Sequence, residues 1–329
     1  MASPMPTPTH RVKRRRLDLS PPPHLNDLAD ELLFLILDRA AAHDPRALKS
    51  FSLVSRACHA AESRHRRVLR PFRPDLLPAA LARYPALSRL DLSLCPRLPD
   101  AALAALPAAP SVSAVDLSRS RGFGAAGLAA LVAACPNLTD LDLSNGLDLG
   151  DAAAAEVAKA RRLQRLSLSR CKRITDMGLG CIAVGCPDLR ELSLKWCIGV
   201  THLGLDLLAL KCNKLNILDL SYTMIVKKCF PAIMKLQNLQ VLLLVGCNGI
   251  DDDALTSLDQ ECSKSLQIVK KCFPAIMKLQ NLQVLLLVGC NGIDDDALTS
   301  LDQECSKSLQ VAVEPCDVWK QQSQDLLVQ

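Results

Sequence analysis

The sequence predicts an α/β fold in which short parallel strands and helices are stacked into a solenoid. A Leu-x-x-Leu-x-Leu pattern, or a close variant, occurs eight times, with first positions at Leu87, Val112, Leu138, Leu163, Leu189, Leu215, Leu239 and Leu282. The first seven are separated by 25, 26, 25, 26, 26 and 24 residues, and the last interval is 43. A period near 26 with this pattern is typical of a leucine-rich-repeat solenoid, a curved parallel sheet with convex helices. The open concave face of such a sheet binds other macromolecules.

Composition agrees with a stacked core of small aliphatic side chains. Apolar residues make up 49% of the chain and aromatic residues only 3%. The net charge is +5, of which residues 1–20 carry +4, so the remainder is nearly neutral. A neutral body argues against a nucleic-acid-binding groove, which needs a basic face. The N-terminus has no apolar signal segment and no uncharged stretch of membrane-spanning length, so we expect neither secretion nor membrane insertion.

Ten of the 15 cysteines recur at fixed repeat positions. Five stand at the ninth position of a repeat, just after the strand: Cys95, Cys171, Cys197, Cys247 and Cys290. Five others lie three or four residues before the next inward first position: Cys135, Cys186, Cys212, Cys262 and Cys305. A solenoid buries small side chains at such positions, where free cysteine acts as a small hydrophobe. With no CxxC pair for zinc, we expect structural thiols and a reducing compartment.

The N-terminal segment 1–23 is rich in proline, serine and basic residues and lacks periodicity, which predicts a disordered basic tail. It contains a basic cluster of Arg11, Lys13, Arg14, Arg15 and Arg16. A run of this kind can act as a nuclear import signal. A solvated, flexible basic tail is the alternative, and the sequence leaves both open.

Residues 24–70 predict a small all-α domain ahead of the solenoid. Asn26 or Asp27 can cap the first helix. Apolar residues follow at helical spacing, and a second apolar segment comes after His43, Asp44 and Pro45. A third, basic helix is predicted through Arg64, Arg66, Arg67 and Arg70, ended by prolines 71 and 74. A unit this short buries little apolar area, so it needs a partner or the solenoid to cover it.

These helices carry a family resemblance. Residues 28–33 (LADELL), Ile36-Leu37 and residues 53–56 (LVSR) resemble the F-box motif, although Ala29 and Cys58 stand where that motif usually has proline and tryptophan. Residues 174–179 (ITDMGL) with 185–189 (GCPDL) are similar to the cysteine-containing repeats of plant-like F-box/leucine-rich-repeat proteins.

The resemblance implies a non-catalytic, cofactor-free substrate-recognition subunit of an SCF (cullin-RING) ubiquitin ligase in the nucleus, the cytoplasm or both. It implies a Skp-family adaptor and a cullin as partners, with a substrate protein held for ubiquitination. The implied adaptor-binding residues are Leu28, Leu32, Leu33, Ile36, Leu37, Leu53 and Val54. The alternative is an F-box-independent leucine-rich-repeat scaffold or inhibitor that binds a protein partner.

Strand alternation predicts that repeat positions 1, 4 and 6 point inward and that positions 3, 5 and 7 face solvent. The rows of Asp and Ser at positions 5 and 7 favour solubility over recognition. Departures from the repeat are the candidate substrate-binding residues: Arg165, Glu191, Lys195, Trp196, Val241, Leu243 and Val245. Trp196 could anchor a ligand in the groove or fill the convex side. The Val-Leu-Val stripe could be a contact patch or an aggregation liability.

The predicted solenoid covers residues 71–310 and is followed by a non-repeat tail, 311–329. Residues 225–267 are duplicated without change as 268–310, out of register with the 26-residue period. At the junction Lys271 falls on an inward position, where an unpaired ammonium is costly to bury, so we predict a disrupted or skipped turn.

No catalytic or metal site is predicted. His202 follows Thr201 at an expected helix start and reads as an ordinary solvated or capping residue. Aspartates 251–253 and their copies 294–296 also lie at expected helix starts, where a negative charge complements the helix dipole. The sequence has no phosphate-binding loop and no HExxH motif. We therefore expect a binding protein and not an enzyme.

Overall fold

The structure is a computed structural model that describes residues 28–44, 46–247, 281–286 and 310–312. The chain divides into two compact units, one ending at His65 and the other beginning at Arg66. Several expectations lie outside the described residues: the basic tail, the Lys271 junction, the aspartates at 251–253 and 294–296, and three of the ten periodic cysteines.

The first unit is formed by three helices: α1 (Asp30–His43), α2 (Ala47–Ser52) and α3 (Arg56–His65). Helix α1 begins after Ala29, which makes no side-chain cap, and its acidic first turn complements the helix dipole. The Ser55 hydroxyl accepts the Cys58 amide at 3.1 Å and so caps α3. The predicted third helix is therefore too long, because α3 ends at His65 and not near Arg70.

A small core and two polar contacts hold the three helices together. Leu33, Leu37 and Ala61 form the core, against which Phe34, Leu48 and Phe51 pack. His65 Nε2 lies 2.8 Å from Asp38 Oδ1, and the Arg64 guanidinium donates to Asp30 Oδ1 at 2.8 Å. Both contacts join α3 to α1. This core is small, as expected for so short a unit.

The second unit contains a parallel sheet whose strands are paired in chain order. The described strands are β1 (Val68–Leu69), β2 (Arg89–Asp91), β3 (Ala114–Asp116), β4 (Asp140–Asp142), β5 (Arg165–Ser167), β6 (Glu191–Ser193), β7 (Ile217–Asp219), β8 (Val241–Leu243), β9 (Val284–Leu286) and β10 (Gln310–Ala312). Strands β2 to β9 confirm the eight predicted ones. Strands β1 and β10 were not among the eight predicted. Arg66 stands where the pattern has an apolar first position, and the register of β10 places Ser308, not the expected Leu309, at that position. The sheet thus extends past both predicted solenoid boundaries.

From β1 to β8, described helices connect the strands and cover one face of the sheet. They are α4 (Leu77–Arg83), α5 (Asp100–Ala104), α6 (Ala125–Ala134), α7 (Asp151–Val157), α8 (Asp176–Gly185), α9 (His202–Lys211) and α10 (Phe230–Ile233). Strand and helix leucines form one continuous core, as in the sixth strand segment, where Leu189, Leu192 and Leu194 are fully buried. Burying each such side chain contributes about 1.5–3 kcal/mol. Repetition of this layer accounts for the extended core.

The register of the sheet aligns equivalent repeat positions. Arg165 of β5 pairs with Asp140 of β4 and with Glu191 of β6, so third positions form one column. The same register continues from Val241 of β8 directly to Val284 of β9. Strands β8 and β9 are therefore neighbours although 43 residues separate Val241 from Val284, and nothing is inserted between them in the sheet.

Candidate protein-binding surfaces

The face of the sheet opposite the helices, here called the open sheet face, has a recess of about 550 Å³. It is lined by columns of third- and fifth-position residues, including Arg89, Asp116, Asp140, Asp142, Arg165, Glu191, Asp219 and Leu243. Most of these side chains are half-buried. The outward positions predicted from strand alternation are therefore accessible, but they sit within a groove.

Three fifth-position aspartates accept hydrogen bonds from the backbone just after their own strands. Asp116, Asp142 and Asp219 each accept the backbone amide two residues on, at 2.8–2.9 Å. Burial raises the pKa of Asp142, and the charge of Asp116 raises it further. This stretch of the groove is consequently acidic, and its carboxylates are partly desolvated.

Asp91 departs from the prediction of a solvent-facing fifth position, because it is buried. Its carboxylate pairs with the Arg70 guanidinium at 2.7 Å and accepts the Ser93 hydroxyl at 2.6 Å. Burial opposes the charged form, but the bonds from Ser93 and the charge of Arg70 lower the pKa of Asp91. Asp91 is thus a structural residue at the first full strand.

The structure brings Arg165 and Glu191 together in the third-position column. The Arg165 guanidinium also pairs with Asp140 on the other neighbouring strand. Burial raises the pKa of Glu191, with Arg165 opposing this shift and Asp140 adding to it. The middle of the groove therefore presents one cation between two carboxylates.

The groove becomes apolar toward its C-terminal end. Val241 and Leu243 of β8 and Val245 beyond it are half-buried, and Val241 is flanked in register by Ile217 and Val284. Flanking apolar residues cover part of the predicted Val-Leu-Val stripe. The open sheet face is therefore graded from acidic to apolar along the solenoid.

Trp196 lies three residues beyond the carboxyl end of β6, in a position that neither sequence hypothesis anticipated. The eighth residues Asn145, Arg170, Trp196 and Tyr222 have φ of 65°, 66°, 63° and 57°, in the left-handed region. Each donates its amide to the seventh-position carbonyl of the next repeat, at 2.7–3.0 Å. These bonds extend the pairing of the sheet by one step beyond each strand.

Two of these left-handed residues form an aromatic pair. The Trp196 and Tyr222 rings are stacked with centroids 4.5 Å apart, and Lys195 Nζ lies 5.4 Å from the Tyr222 centroid. Gly246 at the next eighth position has φ 64°, and a β-carbon there would come within 2.4 Å of the Tyr222 ring. Asparagine at position 145 and glycine at position 246 are the sequence signal that could have predicted this turn, since both residue types tolerate positive φ.

The first unit has an exposed apolar surface. Of the predicted adaptor-binding residues, Leu32, Ile36, Leu53 and Val54 are 48% to 76% exposed and Leu28 is half-buried. Leu33 and Leu37 are buried in the core between the helices. These two therefore support the unit from inside and are not surface contacts, a distinction that helical periodicity alone does not make.

The seven periodic cysteines within the described residues are free and buried. At ninth positions, Cys171 and Cys197 donate Sγ–H to the carbonyls of Leu143 and Leu168 at 3.2 and 3.1 Å. Burial raises the pKa of each of these two thiols to about 12. They are protonated structural groups, as the repeat predicted.

Within the described part of the chain, no group of three or more His, Cys, Asp or Glu side chains is placed to hold a metal ion. In the same residues, no helix combines the length and apolarity needed to cross a membrane.

Comparison with known proteins agrees with the repeat geometry. Residues 160–183, which run from the loop before β5 into α8, match the Leucine Rich repeat family. The matched segment is one of the repeated strand–helix units that build the parallel sheet of the second unit. This fold is a scaffold for binding proteins.

Solved structures give weaker similarities. A chain of the yeast Rad7–Elc1 complex is 15% identical, with 86% of this chain and 91% of that chain covered and a TM-score of 0.43. An internalin C2 from Listeria monocytogenes is 15% identical, with 81% and 90% covered and a TM-score of 0.45. TLR13 from a complex with ssRNA13 is 18% identical, with 69% and 41% covered and a TM-score of 0.43. None of these values bears on a partner or an activity.

Proposed function

We propose that this protein is the substrate-recognition subunit of an SCF-type ubiquitin ligase. The three-helix unit docks a Skp-family adaptor and, through it, a cullin. The open sheet face of the solenoid binds the protein substrate. The observation that carries the proposal is the exposed apolar surface of the three-helix unit.

That surface is large for so small a unit. Leu32 and Ile36 lie one turn apart on α1, and Leu53 and Val54 follow the end of α2. Each exposes about half of its side chain or more, while the buried apolar cluster among the described residues of this unit holds Leu33, Leu37 and Ala61. Exposed apolar patches of this kind mark protein interaction sites. The similarity of residues 28–33 and 53–56 to the F-box motif supports a Skp-family adaptor as the partner.

The chemistry of ubiquitin transfer belongs to other subunits in this proposal. The protein raises the effective concentration of a substrate lysine near the conjugating enzyme and supplies no catalytic group itself. The graded open sheet face, with Arg165, Glu191 and Lys195 followed by the apolar Val241 and Leu243, is the proposed substrate contact. The basic cluster at residues 11–16 supports a nuclear or shared nuclear and cytoplasmic location.

Binding to a purified Skp-family adaptor tests the proposal. We expect the full chain to form a stable complex and Leu32→Asp/Ile36→Asp to lose it at least tenfold in Kd, because two charges enter the apolar contact. Leu147→Asp is the matched control, since Leu147 is a similarly exposed leucine in the solenoid. Circular dichroism checks that both variants fold. Absence of binding by the unmodified chain would instead support an F-box-independent scaffold or inhibitor.

A further inference from the structure

The outer faces of helices α8 and α9 differ from those of their neighbours. Helix positions 2, 6 and 9 face away from the sheet in each repeat. In α6 these positions hold Ala126, Ala130 and Ala133, and in the α7 segment they hold Ala152, Glu156 and Lys159. In α8 and α9 they hold Met177, Cys181, Val184, Leu203, Leu207 and Leu210. Two adjacent apolar rows therefore interrupt a surface that is otherwise small or charged.

The core does not require these rows. Met177, Val184 and the three leucines are 41% to 73% exposed, and the inward leucines and isoleucine of the same helices already fill the interior. In α7 the equivalent positions carry a Glu156–Lys159 ion pair at 2.6 Å, so a polar outer face is compatible with the fold. Contiguous apolar exposure that the fold does not need marks an interaction surface.

The α8 row lies in a groove. A recess of about 780 Å³ passes over α8, with Met177, Cys181 and Val184 along it and Leu203 and Leu207 on the α9 side. The α7 side is lined by Ala155, Ala158, Lys159 and Arg161. Gly180 contributes no side chain at its floor. Each row has the i, i+4, i+7 spacing with which helices present apolar side chains to one another. The groove therefore has the shape and spacing to accept one further helix.

Cations in the segment after α7 and at the end of α9 select the partner. Arg161 and Lys211 are exposed, and neither has an ion pair among the described residues. The nearby acids are already engaged: Glu156 pairs with Lys159, Asp206 pairs with Lys235, and Asp176 accepts the Thr201 hydroxyl. The rim therefore favours acidic groups, while a second copy of this surface would add like charges.

We propose that the α8–α9 groove is a docking site for an amphipathic α-helix of a partner protein, one whose apolar stripe is flanked by acidic residues. The groove lies on the helical side of the sheet and the proposed substrate contact lies on the open sheet face. The two sites are therefore separate, and this inference does not depend on the ligase proposal.

Two synthetic helical peptides serve as probes. Both carry leucine at i, i+4 and i+7, and they differ only in having glutamate or lysine at the flanking positions. We expect the glutamate peptide to bind the full chain about fivefold more tightly, because its carboxylates pair with exposed cations. We also expect it to slow alkylation of Cys181, followed by mass spectrometry of the peptide that contains this residue.

A matched pair of variants tests the location. Leu203→Asp places a carboxylate in the second position of α9, and Ala126→Asp makes the same change at the second position of α6, outside the groove. Acid in a first helical turn is favourable at both sites, so both variants should fold. We expect Leu203→Asp to weaken binding of the glutamate peptide by about tenfold or more and Ala126→Asp to leave it unchanged. We expect Arg161→Glu/Lys211→Glu to abolish the preference for the glutamate peptide.

Three results would overturn the proposal. One is equal binding of the two peptides, or equal binding by the Leu203→Asp and Ala126→Asp variants. Another is a dimer in sedimentation equilibrium that Leu203→Asp dissociates, which would make a second copy the occupant. The third is stronger Leu203-dependent binding to phosphatidylserine vesicles than to either peptide, which would make the groove a lipid contact.

Discussion

At the scale of single residues, the ninth repeat position often holds a small side chain that donates a hydrogen bond to the preceding repeat. Cys197 Sγ donates to the carbonyl of the preceding repeat at 3.1 Å, and Cys247 does so at 3.2 Å. In the second repeat Ser120 occupies the same place and donates its hydroxyl to the Leu92 carbonyl at 2.7 Å. The exchange shows that both a thiol and a hydroxyl fit the position as compact donors, and that a thiol does so while staying apolar enough for the core.

These thiols predict a loss of stability at alkaline pH. Burial raises the pKa of Cys171 and Cys197 from 9.0 to about 12. Because the folded pKa is above the unfolded one, the stabilisation is complete below pH 9 and is lost as pH rises toward 12. We expect the free energy of unfolding to fall by about 1 kcal/mol per thiol between pH 8 and 10.

The double variant Cys171→Ser/Cys197→Ser separates this effect from other titrating groups. Serine does not ionise, and Ser120 shows that a hydroxyl fits the position. We measure the free energy of unfolding by urea under reducing conditions at pH 8 and pH 10. Its fall between these pH values should be smaller by about 2 kcal/mol in the variant. An equal fall in both proteins would mean that these thiols do not control alkaline stability.

The left-handed eighth position gives a second prediction at the residue scale. Arg170 has φ 66° and an exposed side chain, so Arg170→Gly removes steric strain at little contact cost. We expect it to stabilise the protein by about 0.5–1 kcal/mol. Trp196→Gly removes the same strain but also the stack on Tyr222, and it should be destabilising. Thermal unfolding of the two variants measures the sign, and a destabilised Arg170→Gly would contradict the strain argument.

At the scale of elements, an aspartate at the start of one helix fixes the start of the next. Asp151 accepts the Thr175 amide at 2.8 Å and its hydroxyl at 2.7 Å, and Asp176 repeats both bonds with Thr201. A glycine three residues after each threonine allows the approach, since a β-carbon at Gly178 would lie 2.5 Å from Asp151 Oδ1. Successive helices are thereby aligned at their N-terminal ends.

Two glycines of α8 test this alignment. Gly178→Ala forces the Asp151 carboxylate to move, and we expect a loss of about 1–3 kcal/mol. Gly180→Ala meets only the flexible end of Leu207 at 3.0 Å and gains helix propensity, so a gain of up to about 1 kcal/mol is expected. Chemical denaturation compares the two. Equal effects would show that the carboxylate does not set the packing distance.

Periodicity predicted the repeated strands. The remaining features depend on contacts between residues that are distant in the sequence. The eight strands followed from leucines at a fixed interval. Strand β1 has Arg66 at its first position, and its basic sequence favoured a helix, so only pairing with β2 defines it. Leu33 and Leu37 look like their exposed neighbours in sequence, and only the packing of α2 and α3 against α1 buries them. The aromatic pair was missed because Trp196 and Tyr222 meet only through the register of adjacent repeats.

At the scale of the whole molecule, the duplicated block disturbs spacing without disturbing the sheet. The interval from Val241 to Val284 is 43 residues, but the interval from Val284 to Gln310 returns to 26. Both steps use the same parallel register. Since a solenoid is stabilised by nearest-neighbour contacts, the sheet tolerates a long connection as long as the next strand pairs in register.

Deletion of residues 225–267 tests this view. Because the two copies are identical, the deletion leaves one complete copy. Residues 284–286 then occupy the place of β8, and residues 310–312 follow them at the regular interval of 26 residues. We expect the shortened chain to keep a continuous parallel sheet with one strand fewer and to unfold at nearly the same thermal midpoint, because residues 284–286 repeat the sequence of β8 and take its place beside β7. A midpoint lowered by several degrees, or rapid proteolysis after residue 224, would show instead that the extra connection packs on and stabilises the solenoid.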